Sequence, residues 1–261
     1  MAELLLAHSL RRDRAHLYAH SDEPLDRHAV RRWRGYLRRA LGHEPVAYIT
    51  HSREFYGLDF YVDRRVLIPR PETELLVAET LAWARRFAER ESSLPSLVDV
   101  GTGSGAIAVA LAAQLPGARL YAVDLSTAAL AVARRNAVRH GVAERIVLLP
   151  GSLLQPLPEA VDLIVANLPY VSEAEMAQLA ANVARHEPRS ALAGGPEGLD
   201  LIRHLLAEAP AQLRPGGAIF LEIGAAQGES ALNLARASFP AAAVAVLPDL
   251  AGLPRLLRIE T

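Results

Sequence analysis

The sequence predicts an α/β fold: a doubly wound, mainly parallel sheet, preceded by a small helical N-terminal domain that a β-hairpin joins to it. Two observations lead there. From Leu97 onward, short apolar runs alternate with helical stretches of about ten or more residues, as in a parallel sheet covered on both faces. A glycine-rich turn, Gly101-Thr102-Gly103-Ser104-Gly105, follows the first of these runs and leads into a helix. The boundaries expected are 1–45 for the helical domain, 46–66 for the hairpin linker and 67–261 for the domain that holds the sheet.

The N-terminal apolar stretch is too short for a signal sequence and runs into Arg11, Arg12, Asp13 and Arg14, which predicts a cytoplasmic protein. Ser21 and Asp22 are expected to cap a helix with Pro24 in its first turn and Gly42 at its stop. Leu25, Ala29, Trp33, Leu37 and Ala40 recur at helical spacing on one side, with Arg27, Arg31, Arg34 and Arg38 largely opposite. That arginine stripe reads as a solvated face or as a docking surface for an acidic partner. Between Tyr48 and Val66, Phe55, Tyr56, Phe60, Tyr61 and Val62 flank Gly57 and suggest the hairpin. Pro71, followed by Glu72 and Glu74, opens a helix expected to reach about Arg90. The alternation then gives strands at Leu97–Val100, Arg119–Val123, Ile146–Leu149, Asp162–Ala166 and Ala218–Ile223. Helices fall at Ala106–Gln114, Ala128–Gly141, Leu199–Ala209 and Ser230–Ala237.

Composition narrows the chemistry. The 261 residues are 51% hydrophobic and 22% charged, the balance of a globular protein with a sizeable core. A net charge of −1 provides no overall attraction to nucleic acid, so no direct nucleic-acid binding is expected. Cysteine and lysine are both absent, which excludes thiolate nucleophiles, Cys-ligated metals, a P-loop lysine and a Schiff-base amine. The histidines lack metal-ligand spacing, and no run of about 18 apolar residues predicts a membrane span.

Two loops converge on a ligand. Gly101 to Gly105 allow close backbone approach, although a structural turn would look similar. Asp124 ends the second strand at close to the roughly 20-residue interval at which a carboxylate meets a ribose diol; the alternative is a cap for the helix near Ser126. Together they favour an adenosine ligand. The Gly-x-Gly-x-Gly spacing tilts the choice from a dinucleotide towards S-adenosyl-L-methionine. Asn167-Leu168-Pro169-Tyr170 follows the fourth strand, on the ligand edge of the sheet. The Asn167 carboxamide oxygen and the Leu168 carbonyl can each accept one hydrogen of a substrate –NH2, Pro169 stiffens the turn, and Tyr170 can cover the flat face of the group.

The glycine loop and Asn167–Tyr170 stand in order with Gly42–Ile49, Leu67-Ile68-Pro69-Arg70-Pro71-Glu72-Thr73-Glu74, His186–Leu192 and Leu221–Gly224. In this the chain resembles the release factor glutamine N5-methyltransferase (PrmC/HemK) family over essentially its whole length. The resemblance implies a class I, Rossmann-like, S-adenosylmethionine-dependent methyltransferase acting on the glutamine of the Gly-Gly-Gln tripeptide of peptide chain release factors. It implies that the N-terminal helices recognise the release factor, that Gly101, Thr102, Gly103, Ser104, Gly105 and Asp124 hold the cofactor, and that Asn167, Leu168, Pro169 and Tyr170 hold the glutamine. Asn167, Pro169 and Tyr170 are then the catalytic set, with Asn167 also beside the cofactor.

This chain departs from the family pattern at three positions. Leu168 replaces the usual first proline of Asn-Pro-Pro-Tyr, a position that contributes its backbone carbonyl. Ser152 stands where an acidic residue commonly follows the third strand, with Leu153 beside it as the adenine-packing position. His51 occupies a frequent glycine. Two other readings are methylation of adenine in RNA or DNA, which the Asn-Leu-Pro-Tyr form also fits, and a non-catalytic cofactor-binding module of the translation machinery. Arg70 and Glu74 are expected to pin the interdomain segment over the cofactor or to form a structural ion pair. Glu222 either ends a strand or joins the site.

Overall fold

The computed structural model describes residues 1–261. Four helices come first: α1 (Ala2–Leu10), α2 (Arg14–Ala19), α3 (Arg27–Leu41) and α4 (Val46–Thr50). The α3 cap is Asp26 and not Ser21 or Asp22. Its two carboxylate oxygens accept from the His28 and Ala29 amides at 2.7 and 3.1 Å. Pro24 disfavours helical backbone at Glu23, so neither Ser21 nor Asp22 can cap a helix that runs on through that residue. Gly42 ends α3 as expected. Of its apolar side chains Ala29 alone is fully buried, while Arg27, Arg31, Arg34 and Arg38 are exposed.

The hairpin is shorter than the sequence suggests. Tyr48 lies in α4, and only β1 (Arg53–Phe55) and β2 (Leu58–Phe60) pair. Tyr56 (φ 51°) and Gly57 (φ 74°) form the tight turn that matches strand twist. The Glu74 carboxylate accepts from the Tyr56 amide at 3.0 Å and holds this non-glycine residue in its left-handed conformation. His51 is the left-handed end of α4 (φ 53°), which accounts for the glycine usual there. Its ring stacks on Tyr61, and its Nδ1 lies 3.2 Å from the Val62 carbonyl.

After a 3-10 turn at Pro71–Thr73 comes α5 (Glu74–Glu91). The alternating portion follows: β3 (Ser96–Val100), α6 (Ala106–Gln114), β4 (Arg119–Asp124), α7 (Thr127–Arg139), β5 (Ile146–Pro150) and β6 (Val161–Ala166). Two short helices, α8 (Glu173–Met176) and α9 (Ala181–His186), precede α10 (Asp200–Gln212), β7 (Leu213–Glu222), α11 (Gly228–Ser238), β8 (Ala243–Pro248) and β9 (Pro254–Glu260). The sheet order is β5-β4-β3-β6-β7-β9-β8, parallel except where β9 meets β7 and β8. The winding reverses between β3 and β6, so their C-terminal ends open the crevice where doubly wound sheets bind ligands.

Alternation along each strand separates two cores. Leu97, Leu120, Leu163 and Phe220 pack against α5 and α6 on one face, while Val98, Tyr121, Ile164 and Ile219 pack against α10 and α11 on the other. The helical part is fastened to this body by Tyr48, Val62, Val66 and Ile68 packed on Ala129 and Val132 of α7. Asn136 of α7, fully buried, reinforces the joint. Its Oδ1 accepts from the Tyr61 amide, and its Nδ2 donates to the carbonyls of Tyr61 and Ser104, all within 2.8–2.9 Å.

Candidate active site

The glycine loop is held from three sides. The Gly101 and Thr102 amides both donate to the Val123 carbonyl at the end of β4, at 2.8 and 2.9 Å. Gly105 (φ 79°) leads into α6, and a Cβ there would lie 3.1 Å from Ala133 of α7. The Thr102 hydroxyl donates to Asp99 Oδ2 at 2.7 Å. Asp99 is wholly buried with its Oδ1 unpartnered, and burial pushes its carboxyl up to about 7.

A cavity of about 390 Å³ opens beyond β3, β4 and β6. Gly101, Gly103, Asp124, Leu153, Asn167, Leu168 and Pro169 line it, so most of the residues singled out from sequence meet in one place. Thr102 and Ser104 lie buried behind the loop, and Gly105 serves the helix junction. The Asp124 Oδ2 accepts from the Gly103 amide and its Oδ1 from the Ser126 amide, both at 2.8 Å. Each oxygen keeps a second lone pair. Burial raises this carboxyl, and the two amide donors oppose the rise. The cap of α7 is Ser126, whose Oγ accepts from the Ala129 amide.

Tyr170, half-buried at the end of the turn, donates its hydroxyl to Glu222 Oε1 at 3.2 Å. Burial, with the Glu222 charge beside it, pushes the phenol above its ordinary range. The Asn167 Nδ2 donates to Thr73 Oγ1 at 3.0 Å, leaving the carboxamide oxygen and the Leu168 carbonyl without partners in the chain. The Leu168 side chain turns into the core, 3.3 Å from where a Gly101 Cβ would stand.

Several residues with no role in the site assigned from sequence also belong to it. Arg65, Val66 and Leu67 from one segment and Pro188, Ser190 and Ala191 from another wall the cavity. Glu187 clasps the two segments together: its carboxylate accepts from the Ile68 amide at 3.2 Å and from Arg70 Nη2 at 2.6 Å. Arg70 therefore pairs with Glu187 and not with Glu74. Leu125, exposed at the cavity rim, was also passed over; its signal was an apolar side chain directly after Asp124.

The backbone of the Asn167–Tyr170 turn is braced by glycines. A Cβ on Gly194 would fall 2.6 Å from the Pro169 carbonyl oxygen and 2.8 Å from Tyr170 Cα, both backbone atoms with no room to retreat. Gly194→Ala is expected to cost about 1–3 kcal/mol, as for overpacking, and to displace the turn. Chemical denaturation tests this, and a variant as stable as the parent would show that the turn yields freely.

Residues 1–50 match the family model of the PrmC N-terminal domain, and residues 78–194 match that of ribosomal protein L11 methyltransferase (PrmA). The chain is 45% identical to the release factor glutamine methyltransferase of Cereibacter sphaeroides over 98% of its own length and 88% of that protein. It is 47% identical to the one from Moorella thermoacetica, covering 97% and 88%. A methyltransferase structure from Pyrococcus furiosus superposes with a TM-score of 0.56 at 18% identity, covering 87% of this chain and 98% of that one. The shared fold is the Rossmann-like class I methyltransferase fold.

Proposed function

The chain belongs to the release factor glutamine methyltransferase family, and from that premise we propose that it methylates the side-chain amide nitrogen of the glutamine in the Gly-Gly-Gln tripeptide of release factors. One observation carries the reading. Two acceptor oxygens without partners in the chain, Asn167 Oδ1 and the Leu168 carbonyl, stand in the turn that walls the cavity containing Gly101, Gly103 and Asp124.

S-adenosyl-L-methionine suits that cavity and, when bound, supplies an electrophilic methyl group. Asp124 would hold its ribose hydroxyls with the lone pairs left free, and Leu125 and Leu153 offer apolar surface for adenine. Glycine at 101 and 103 leaves the loop backbone open to close approach. A glutamine amide nitrogen is a poor nucleophile because its lone pair is delocalised into the carbonyl. Asn167 Oδ1 and the Leu168 carbonyl, each accepting one amide hydrogen, raise the electron density on nitrogen and fix its direction of attack. Positioning thus does most of the work: the C–N bond forms as the methyl leaves sulfur, and the cationic amide that results gives up its extra proton to water, so no side chain has to act as a strong base. Release factors are the protein partners on this reading, and the cytoplasm is the compartment.

Asp124→Ala is expected to weaken cofactor binding by about 1.5–3 kcal/mol, the range for hydrogen bonds to a charged group. Calorimetry checks this, and unchanged affinity in a folded variant would remove Asp124 from the site. The function is tested by mass spectrometry of a purified release factor incubated with the protein and isotopically labelled S-adenosyl-L-methionine. A single methyl group on the Gly-Gly-Gln glutamine, with none on a Gly-Gly-Glu factor or on adenine-containing RNA, is the expected result. Transfer to the RNA would install the nucleic-acid reading instead, and binding without any transfer would point to a non-catalytic module.

A further inference from the structure

Asn167 is useful only if its oxygen, and not its NH2, faces the substrate amide. Nothing in a carboxamide's shape enforces that choice, because its two ends are nearly isosteric and carry opposite hydrogen-bonding character. We propose that Thr73 and Glu222 are positioning residues that set the polarity of the Asn167 carboxamide and so select a substrate that donates hydrogens. This rests on the glutamine reading above.

Three separate elements converge here: Thr73 from the turn before α5, Glu222 from the end of β7 and Asn167 from the loop after β6. The Thr73 hydroxyl lies 2.6 Å from Glu222 Oε2. An ionised carboxylate only accepts, so the single hydroxyl proton is committed to it, and Thr73 can face Asn167 only as an acceptor. At 3.0 Å it therefore requires the NH2 end. The reversed amide would set two lone pairs against each other in a buried site, since Thr73 is 4% and Glu222 2% exposed. The carboxamide oxygen is left to the cavity.

Glu222 owes its own direction to the same network. Each of its oxygens receives one hydroxyl, from Thr73 and from Tyr170. Burial raises its carboxyl, Glu72 adds to the rise, and the two hydroxyl donors and the nearby Arg255 guanidinium oppose it. The relay runs one way as long as the carboxylate is charged. Without that charge, Thr73 is free to donate to Asn167 and the amide can turn over.

The test compares Thr73→Val, which keeps the shape but loses the hydroxyl, with Thr73→Ser, which restores it. Methylation of a Gly-Gly-Gln release factor gives kcat and KM. Calorimetry gives the affinity for S-adenosyl-L-methionine and for a Gly-Gly-Glu release factor, whose carboxylate is acceptor-only. Thr73→Val is expected to lose about 10- to 100-fold in kcat, less than removal of a whole preorganised polar group, with cofactor affinity within about twofold. Thr73→Ser is expected to stay within about threefold of the parent. A carboxamide free to turn also presents NH2 to a carboxylate, so Thr73→Val should bind the Gly-Gly-Glu factor about fivefold more tightly, the gain of one hydrogen bond. A purely structural role would not tighten that binding. The inference is overturned if Thr73→Val turns over like the parent, if Thr73→Ser loses as much as Thr73→Val, or if Gly-Gly-Glu affinity does not rise. Failure of the parent itself to methylate the Gly-Gly-Gln factor is a separate result, and it strikes the functional reading.

Discussion

Replacing Asn167 with alanine is expected to lower kcat on a release factor by about 10²-fold or more, the cost of removing one preorganised polar group from a developing charge. Cofactor affinity should change by no more than about twofold, because the loop and Asp124 are untouched. Asn167→Asp is the sharper variant. It keeps an acceptor towards the cavity but replaces the Nδ2 donor with an oxygen facing Thr73, whose only proton is bound to Glu222. Two carboxylates would then crowd one threonine in a site with little water, and the geometry should give way. Slow transfer with normal or tighter binding of the cationic cofactor is expected. An Asn167→Ala variant as fast as the parent would end the mechanism proposed here.

The second large effect is expected at the clasp between the two segments that wall the cavity. The Glu187 side chain is 1% exposed, and its charge is matched by Arg70. Arg70→Ala should strand that carboxylate and cost about 3 kcal/mol, the low end for a broken buried pair, because the guanidinium keeps about a third of its surface in water. Urea unfolding reads this directly. Cofactor affinity should fall as well, since Val66, Leu67, Pro188 and Ala191 line the cavity on either side of the clasp. The double variant Arg70→Met, Glu187→Leu should recover most of the stability, as apolar replacements of buried ion pairs often do. If Arg70→Ala unfolds at the parent's urea midpoint, the pair contributes nothing to the fold.

What was legible in the sequence follows the range of the interaction. Strands β3, β4 and β6 could be read because each is buried on both faces and therefore largely apolar, and the edge strand β5 because its short apolar run follows a helix. The Asn167–Tyr170 turn could be placed because it directly follows such a strand. Strands β8 and β9 were missed: Ala242, Ala243 and Ala245 carry no clear period, and Pro248, Gly252 and Pro254 read as loop. Helix α4 was absorbed into the hairpin because Tyr48 and Ile49 have the β-branched or aromatic character expected of strands. The orientation of Tyr170 depended on Glu222, 52 positions away, and the partner of Arg70 was 117 positions away. Local pattern carries no information about pairings of that span.

Order of synthesis gives the downstream anchors a further meaning. Upstream contacts such as Tyr48 with the Val66 carbonyl hold the segment from Tyr61 to Thr73 only in part; its other anchors lie far downstream. Its Tyr61 backbone waits for Asn136, its Ile68 amide and Arg70 for Glu187, and its Thr73 hydroxyl for Glu222. As the chain leaves the ribosome, the helical part emerges first and can close on itself through α1 and α3. Its docking partners on α7, and then at 187 and 222, arrive only as elongation continues. Translation at about 5–20 residues per second puts roughly 7–30 seconds between Thr73 and Glu222. Until α5 to α7 have emerged, Phe55, Phe60 and Val62, fully buried in the finished protein, lack the core they later enter. Residues made early are thus secured late, and the nascent protein passes through a stage in which its linker is exposed to solvent and to other chains.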